Sequence, residues 1–132
     1  MNFLKTLLIS TALFALAACE RDTDTRPTVN PTIQFSTESG YAFQNDTIGV
    51  LDTARVGILI ARGTDAMHHF KVTVSYDGGS EQTTDSLPMG TDNFEFDKTI
   101  IARAEPGLEK WTFNVIENDG DAIKRSITFT VQ

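Results

Sequence analysis

His69-Phe70-Lys71-Val72-Thr73-Val74-Ser75-Tyr76, followed at once by Asp77-Gly78-Gly79-Ser80, decides the fold. Apolar and polar side chains alternate along it, and successive side chains of an extended chain point to opposite faces. Phe70, Val72, Val74 and Tyr76 therefore share one face. Their β-branched and aromatic character suits a pleated, half-buried strand. The Asp-Gly-Gly that follows tolerates positive φ, as a tight turn requires.

The same period recurs on both sides of this stretch. Thr32–Ser36 puts Ile33 and Phe35 together, and Asp46–Val50 does so for Ile48 and Val50. Arg55–Ala61 aligns Val56, Ile58 and Ile60, and Asn93–Phe96 opens a strand that runs on through Ile100 and Ile101. Trp111–Val115 and Ile127–Val131 close the set, while Glu81–Ser86 is polar on both faces and suits a sheet edge. Register between the last two strands follows from Asn118-Asp119-Gly120. A two-residue loop would leave Ile127 and Phe129 on the wrong face, because a one-residue slip flips every side chain. A three-residue loop, a type I turn with Gly120 left-handed in a G1 bulge, aligns them with Trp111, Phe113 and Val115.

No window beyond the first nineteen residues has a helical period. Seven to eight strands in about 100 residues predict an all-β, immunoglobulin-like sandwich of two antiparallel sheets. Trp111, Phe70, Phe113 and Phe129 are the expected centre. The 132-residue chain holds one cysteine, so no internal disulfide and no multi-cysteine zinc site can form. With 11 Lys+Arg against 18 Asp+Glu the net charge is −7. That balance argues against nucleic acid, which calls for a basic face, and against an electrostatic grip on anionic lipid.

Met1 to Cys19 reads as a secretory signal. Lys5 gives the positive start, and the apolar run Thr6–Ala18 is shorter than the roughly 20 residues of a spanning helix. Leu16-Ala17-Ala18-Cys19 resembles the lipobox of bacterial lipoproteins. That resemblance implies removal of residues 1–18, lipidation of the Cys19 thiol and acylation of its new amine. A thiolate is the nucleophile such chemistry needs. Each buried methylene contributes about 0.8 kcal/mol, so several chains anchor the protein stably. In the Gram-negative lipoproteins it resembles, Asp after the cysteine retains the protein in the inner membrane, so the resemblance implies that Glu20 favours the outer membrane, facing either the periplasm or the outside. Cleavage removes one lysine and no acid, leaving a charge of −8. Residues 19–30, polar and carrying one proline, read as a tether, and Pro31 opens the domain of residues 31–132.

Pro31–Phe35, Gly40-Tyr41, Asn45–Thr47, Trp111–Val115, Asn118–Gly120 and Ser126–Phe129 together resemble the Ig-like domain that small lipoproteins of bacteroidete-type bacteria carry after their tether. The resemblance spans residues 31–132 and implies a cell-envelope binding or structural module rather than a reaction.

Searching for chemistry gives little else. His68 and His69 are adjacent, so on a strand they face opposite ways, and no further Cys or His can complete a zinc set. They read as edge-of-strand histidines. No G-x-S-x-G nucleophile turn is present, and a sandwich this short has little chain to spare for a cleft. No catalytic residue is therefore assigned, although a small hydrolase stands as a third reading. Glu117, Asn118, Asp119 and Asp121 bunch in one loop, with Asp65 and Asp92 in others. Oxygen donors suit calcium, and Glu117, Asp119 and Asp121 are its candidate ligands, but EF-hand spacing is absent and such residues also serve turns. Apart from calcium no cofactor is implied. Tyr41 and Phe43 are candidates for partner binding, or they cover the bottom of the sandwich. The expected function is a non-catalytic, lipid-anchored outer-membrane protein that binds an envelope protein or glycan and holds the membrane through acyl chains on Cys19. The alternative is a structural subunit of an outer-membrane assembly, joined by a strand edge.

Overall fold

A computed structural model describes residues 27–90 and 93–132. The signal segment with Leu16, Ala17, Ala18 and Cys19, most of the tether, and Asp92 lie outside the described residues. Among the described residues eight strands form: β1 (Thr32–Phe35), β2 (Asp46–Ile48), β3 (Thr53–Ala61), β4 (Met67–Tyr76), β5 (Gln82–Pro88), β6 (Asn93–Ile101), β7 (Gly107–Glu117) and β8 (Ala122–Val131). They make a three-stranded sheet, β1-β3-β6, and a five-stranded sheet, β2-β8-β7-β4-β5. This is the Ig-like sandwich the alternation predicts.

One ladder departs from the antiparallel expectation: β2 runs parallel to β8, with Asp46 opposite Phe129. Short turns force antiparallel neighbours, and no short turn joins these two strands. After β1 the chain crosses to the other sheet and covers the free edge of β8. The alternation read through Val50 also stops early. The Gly49 N–H donates to the Asp52 carboxylate at 2.9 Å, the Asp52 N–H returns to Gly49 O at 3.1 Å, and Leu51 takes φ 61°. That turn ends β2 at Ile48 and leaves Val50 39% exposed.

The hairpins follow their turn residues. Trp111 pairs with Ile127 and Val115 with Ile123, the register of a three-residue loop. The Gly120 N–H reaches Glu117 O at 3.0 Å, the Glu117 N–H reaches Asp121 O at 2.8 Å, and Gly120 has φ 97°. After β4, Asp77 and Gly78 take consecutive positive φ values of 51° and 75°, the pattern of a type I′ turn. The polar strand β5 lies at a sheet edge as expected.

The sheets meet through aromatic rings. Phe35 of β1 stands edge-on to Phe113 of β7 at 5.8 Å, and Phe70 of β4 meets Phe94 and Phe96 of β6 at 5.3 and 5.1 Å. Such pairs contribute about 0.5–1.5 kcal/mol beyond the area they bury. Phe70, Phe113 and Phe129 are fully buried, as expected of a centre. Trp111, placed there too, is buried in the same core, with the Lys98 ammonium 5.3 Å from its ring centroid. Ion pairing and hydrogen bonding close the open sides. Lys98 of β6 bonds Asp85 of β5 at 2.6 Å, and Arg125 of β8 donates to Ile33 O of β1 at 3.0 Å. Burial pushes the Asp85 carboxyl up, but the Lys98 and Thr84 hydrogen bonds outweigh it and hold the group below its usual range.

Contacts reach back to Val29, inside the segment read as tether. Val29 and Thr64 bond reciprocally at 2.8 and 2.7 Å. Gly63 permits this approach, because a Cβ there would lie 1.9 Å from Val29 O.

Arg103 ties the connection before β7 to the turn after β4. Its guanidinium bonds both Asp77 oxygens at 2.6 and 2.9 Å, and Asp77 also accepts the Leu108 N–H at 2.8 Å. The Arg103 hydrogen bond, aided by Leu108, holds the Asp77 carboxyl below its ordinary value. A depressed acid stabilises the fold above its unfolded pKa and loses that contribution as pH falls through the folded value. Thermal melts of wild type and Asp77→Asn should therefore differ most near neutrality and converge as pH falls below the ordinary aspartate range. Phe113→Ala should cost about 3–5 kcal/mol in urea unfolding, from lost burial plus a cavity.

Candidate functional site

Among the described residues, two places bring chemistry-bearing side chains together as candidate sites. The first is a groove of about 490 Å³ on the outer face of the three-stranded sheet, lined by Ser36, Glu38, Tyr41, Leu59, Glu95 and Asp97 among others. Pairing of β3 with β6 sets Gly57 opposite Asp97 and Leu59 opposite Glu95. Gly57 leaves the space into which Tyr41 folds: a Cβ there would lie 2.8 Å from Ser36 Cβ and 3.1 Å from the Tyr41 ring. The Tyr41 hydroxyl donates to Asp97 at 2.9 Å. Arg55 Nη2 donates to that hydroxyl at 3.0 Å and to Asp97 at 3.1 Å, and its guanidinium lies 4.7 Å from the ring centroid. The bond to Asp97 favours the protonated phenol and, with burial, raises its pKa.

Tyr41 thus forms a wall of the groove, with Arg55 over its ring. Phe43 is 43% exposed and is not part of the lining. Arg55, Glu95 and Asp97 escape the sequence reading. The outward alternation of Glu95 and Asp97 on β6 was there to see, but their meeting with Tyr41 depends on long-range pairing.

The two histidines do not converge on a site. His69 Nε2 lies 2.6 Å from Ser86 Oγ, and the rings stand 6.1 Å apart where the β4–β7 ladder shifts register.

The second place is the end of the β7–β8 hairpin. Glu117, Asp119 and Asp121 each bring a carboxylate oxygen within 4.8 Å of the others. Alternation along β7 puts Glu117 on the same face as Trp111, Phe113 and Val115, so it is only 2% exposed, while Asp119 and Asp121 are exposed. Its Oε1 is buried without a hydrogen-bond partner among the described residues. Asp119 Oδ1 accepts the Asp121 N–H at 3.0 Å. The Asn118 N–H donates to Ala66 O at 2.9 Å, holding the β3–β4 loop with Asp65 alongside. Burial pushes the Glu117 carboxyl up, and the charges of Asp119, Asp65 and Asp121 add to it. Glu109, at the other end of the same face, is 1% exposed yet paired: Oε1 accepts the Arg103 N–H at 2.7 Å and Oε2 the Trp111 indole at 3.2 Å.

No protein-family model matches the sequence, and no curated protein matches it. Among solved structures, the chain is similar to the CARDB domain of the PF1109 protein of Pyrococcus furiosus, crystallised in complex with di-metal ions. The two are 15% identical, with 80% of this chain and 90% of that chain covered and a TM-score of 0.43. It is also similar to residues 27–141 of a conjugate transposon protein of Bacteroides vulgatus, at 10% identity, 83% and 91% coverage and a TM-score of 0.49. Murine CRIg is 10% identical over 78% of this chain and 98% of that one, with a TM-score of 0.42.

Gly57→Ala should lower stability by about 1–3 kcal/mol in urea unfolding, because its methyl crowds Ser36 and the Tyr41 ring. Adding Tyr41→Ala should recover part of the loss. Additive losses would mean that Tyr41 does not fill the space above Gly57.

Proposed function

We propose that the protein is a non-catalytic binding module, tethered to the bacterial outer membrane through acyl chains on Cys19, that engages an envelope protein or glycan through the groove beside Tyr41. The observation that carries this reading is the groove itself, with Glu38, Glu95 and Asp97 along it and Leu59 as an apolar contact. Three carboxylates favour a partner that presents ammonium or hydroxyl groups. Asp97 is already shared with Arg55 and Tyr41, so Glu38 and Glu95 are the principal acceptors for the partner. The lipobox-like Leu16-Ala17-Ala18-Cys19 supports the anchor.

The strand edges weigh against the alternative of an assembly subunit. β5 is polar and ends in Pro88, and the exposed row of β6 carries Glu95 and Asp97. Charge and proline on an edge discourage strand addition.

Two measurements test the reading. Labelled palmitate should enter the wild-type protein and not Cys19→Ala, and the variant should leave the membrane fraction. Envelope glycan fragments and peptides titrated into the protein should perturb the NMR signals of Glu38, Leu59 and Glu95. Perturbation confined to another face would refute the groove as the binding surface.

A further inference from the structure

We propose that the end of the β7–β8 hairpin is a calcium site, with Glu117, Asp119 and Asp121 as carboxylate ligands. It lies apart from the groove and does not depend on that reading.

Two independent observations converge there. One is the cluster: three carboxylate oxygens within 4.8 Å of one another. Calcium–oxygen distances of about 2.3–2.6 Å let a single ion touch oxygens up to about 5 Å apart. The other is the orphan: Glu117 is 2% exposed, and its Oε1 has no hydrogen-bond partner among the described residues. A buried carboxylate oxygen without a partner costs more than the 1–3 kcal/mol of a neutral group, so native structures supply it with a proton or a cation. The surrounding charges from Asp119, Asp65 and Asp121 are all negative, which deepens the cost and favours a cation.

The donor chemistry selects the ion. Every candidate ligand is a hard oxygen, and among the described residues no His or Cys joins the group. Such a set disfavours zinc and copper and suits calcium, which takes six to eight oxygens in adaptable geometry. Water and backbone carbonyls would complete the shell. Magnesium demands a near-ideal octahedron and loses its water reluctantly. Three carboxylates, two of them on an exposed loop, place the affinity with extracellular modules, at a Kd of about 10⁻⁴–10⁻³ M. Bound calcium would pin the hairpin end and relieve Glu117 together.

Thermal unfolding of the purified protein tests this, first in EDTA and then with calcium chloride or magnesium chloride up to about 10 mM. Calcium at about 10 mM should raise Tm by about 6–13 °C, with half of the rise reached at about 1–2 mM, and EDTA should reverse it. Asp119→Asn/Asp121→Asn, altered only at exposed positions, should fold and lose the rise. Glu117→Gln should melt in EDTA no lower than wild type and should also be insensitive to calcium. A wild-type Tm unmoved by 10 mM calcium would overturn the proposal. So would an undiminished rise in the double variant, or an equal rise with magnesium, which would mark simple screening of an acidic protein.

Discussion

The pleat of β7 is the constraint on which the rest of the molecule depends. β7 is the middle strand of the five-stranded sheet, so both of its edges are paired. Its side chains alternate strictly, and the face that buries Trp111, Phe113 and Val115 must also carry Glu109 and Glu117 inward. On β7 that burial runs from Glu109 at one end to Glu117 at the other, whereas β8 exposes Arg125 on the face that buries Ile127 and Phe129. Core packing therefore forces two carboxyl groups into the sandwich, one at each end. Glu109 is satisfied by the Arg103 N–H and the Trp111 indole. Glu117 keeps an unpartnered oxygen and faces other acids. The same pleat produces a closed end and a chemically unfinished one.

The two sheets hold together without a disulfide because contacts of different kinds cross between them. Phe35, Phe94 and Phe96 on one sheet pack against Phe113 and Phe70 on the other. At the flanks Lys98 reaches Asp85 and Arg125 reaches the Ile33 carbonyl. An inward lysine on edge strand β6 does two jobs. It links the sheets, and it places a charge where another chain would otherwise add. The Asp85–Lys98 pair is partly shielded from water, so salt should weaken it less than a fully exposed pair.

What could be read from the sequence was local, and what could not was long-range. Period-two alternation marked the strands, and the three residues Asn118-Asp119-Gly120 were enough to set the β7–β8 register. Turn geometry and side-chain facing obey the same parity rule. The bunching of Glu117, Asp119 and Asp121 was visible as well, because all three belong to one hairpin. That Glu117 is buried, with one oxygen left without a partner among the described residues, was not visible, since it depends on what lies across the sandwich. The parallel meeting of β2 with β8, the exposure of Val50 and the contact of Val29 with Thr64 likewise join residues far apart in the chain or hinge on one turn. The groove was half legible: Tyr41 stood out, but Gly57, Arg55 and Asp97 gain meaning only once β3 and β6 pair.

Native-state hydrogen exchange tests the governing role of β7 most directly. The amides of Phe113 and Val115, with those of Val72 and Val74 beside them on β4, should exchange slowest, at rates set by global unfolding. The edge strands β2 and β5 should open earlier. Exchange in β7 as fast as in β5, or greatest protection in an edge strand, would contradict the account.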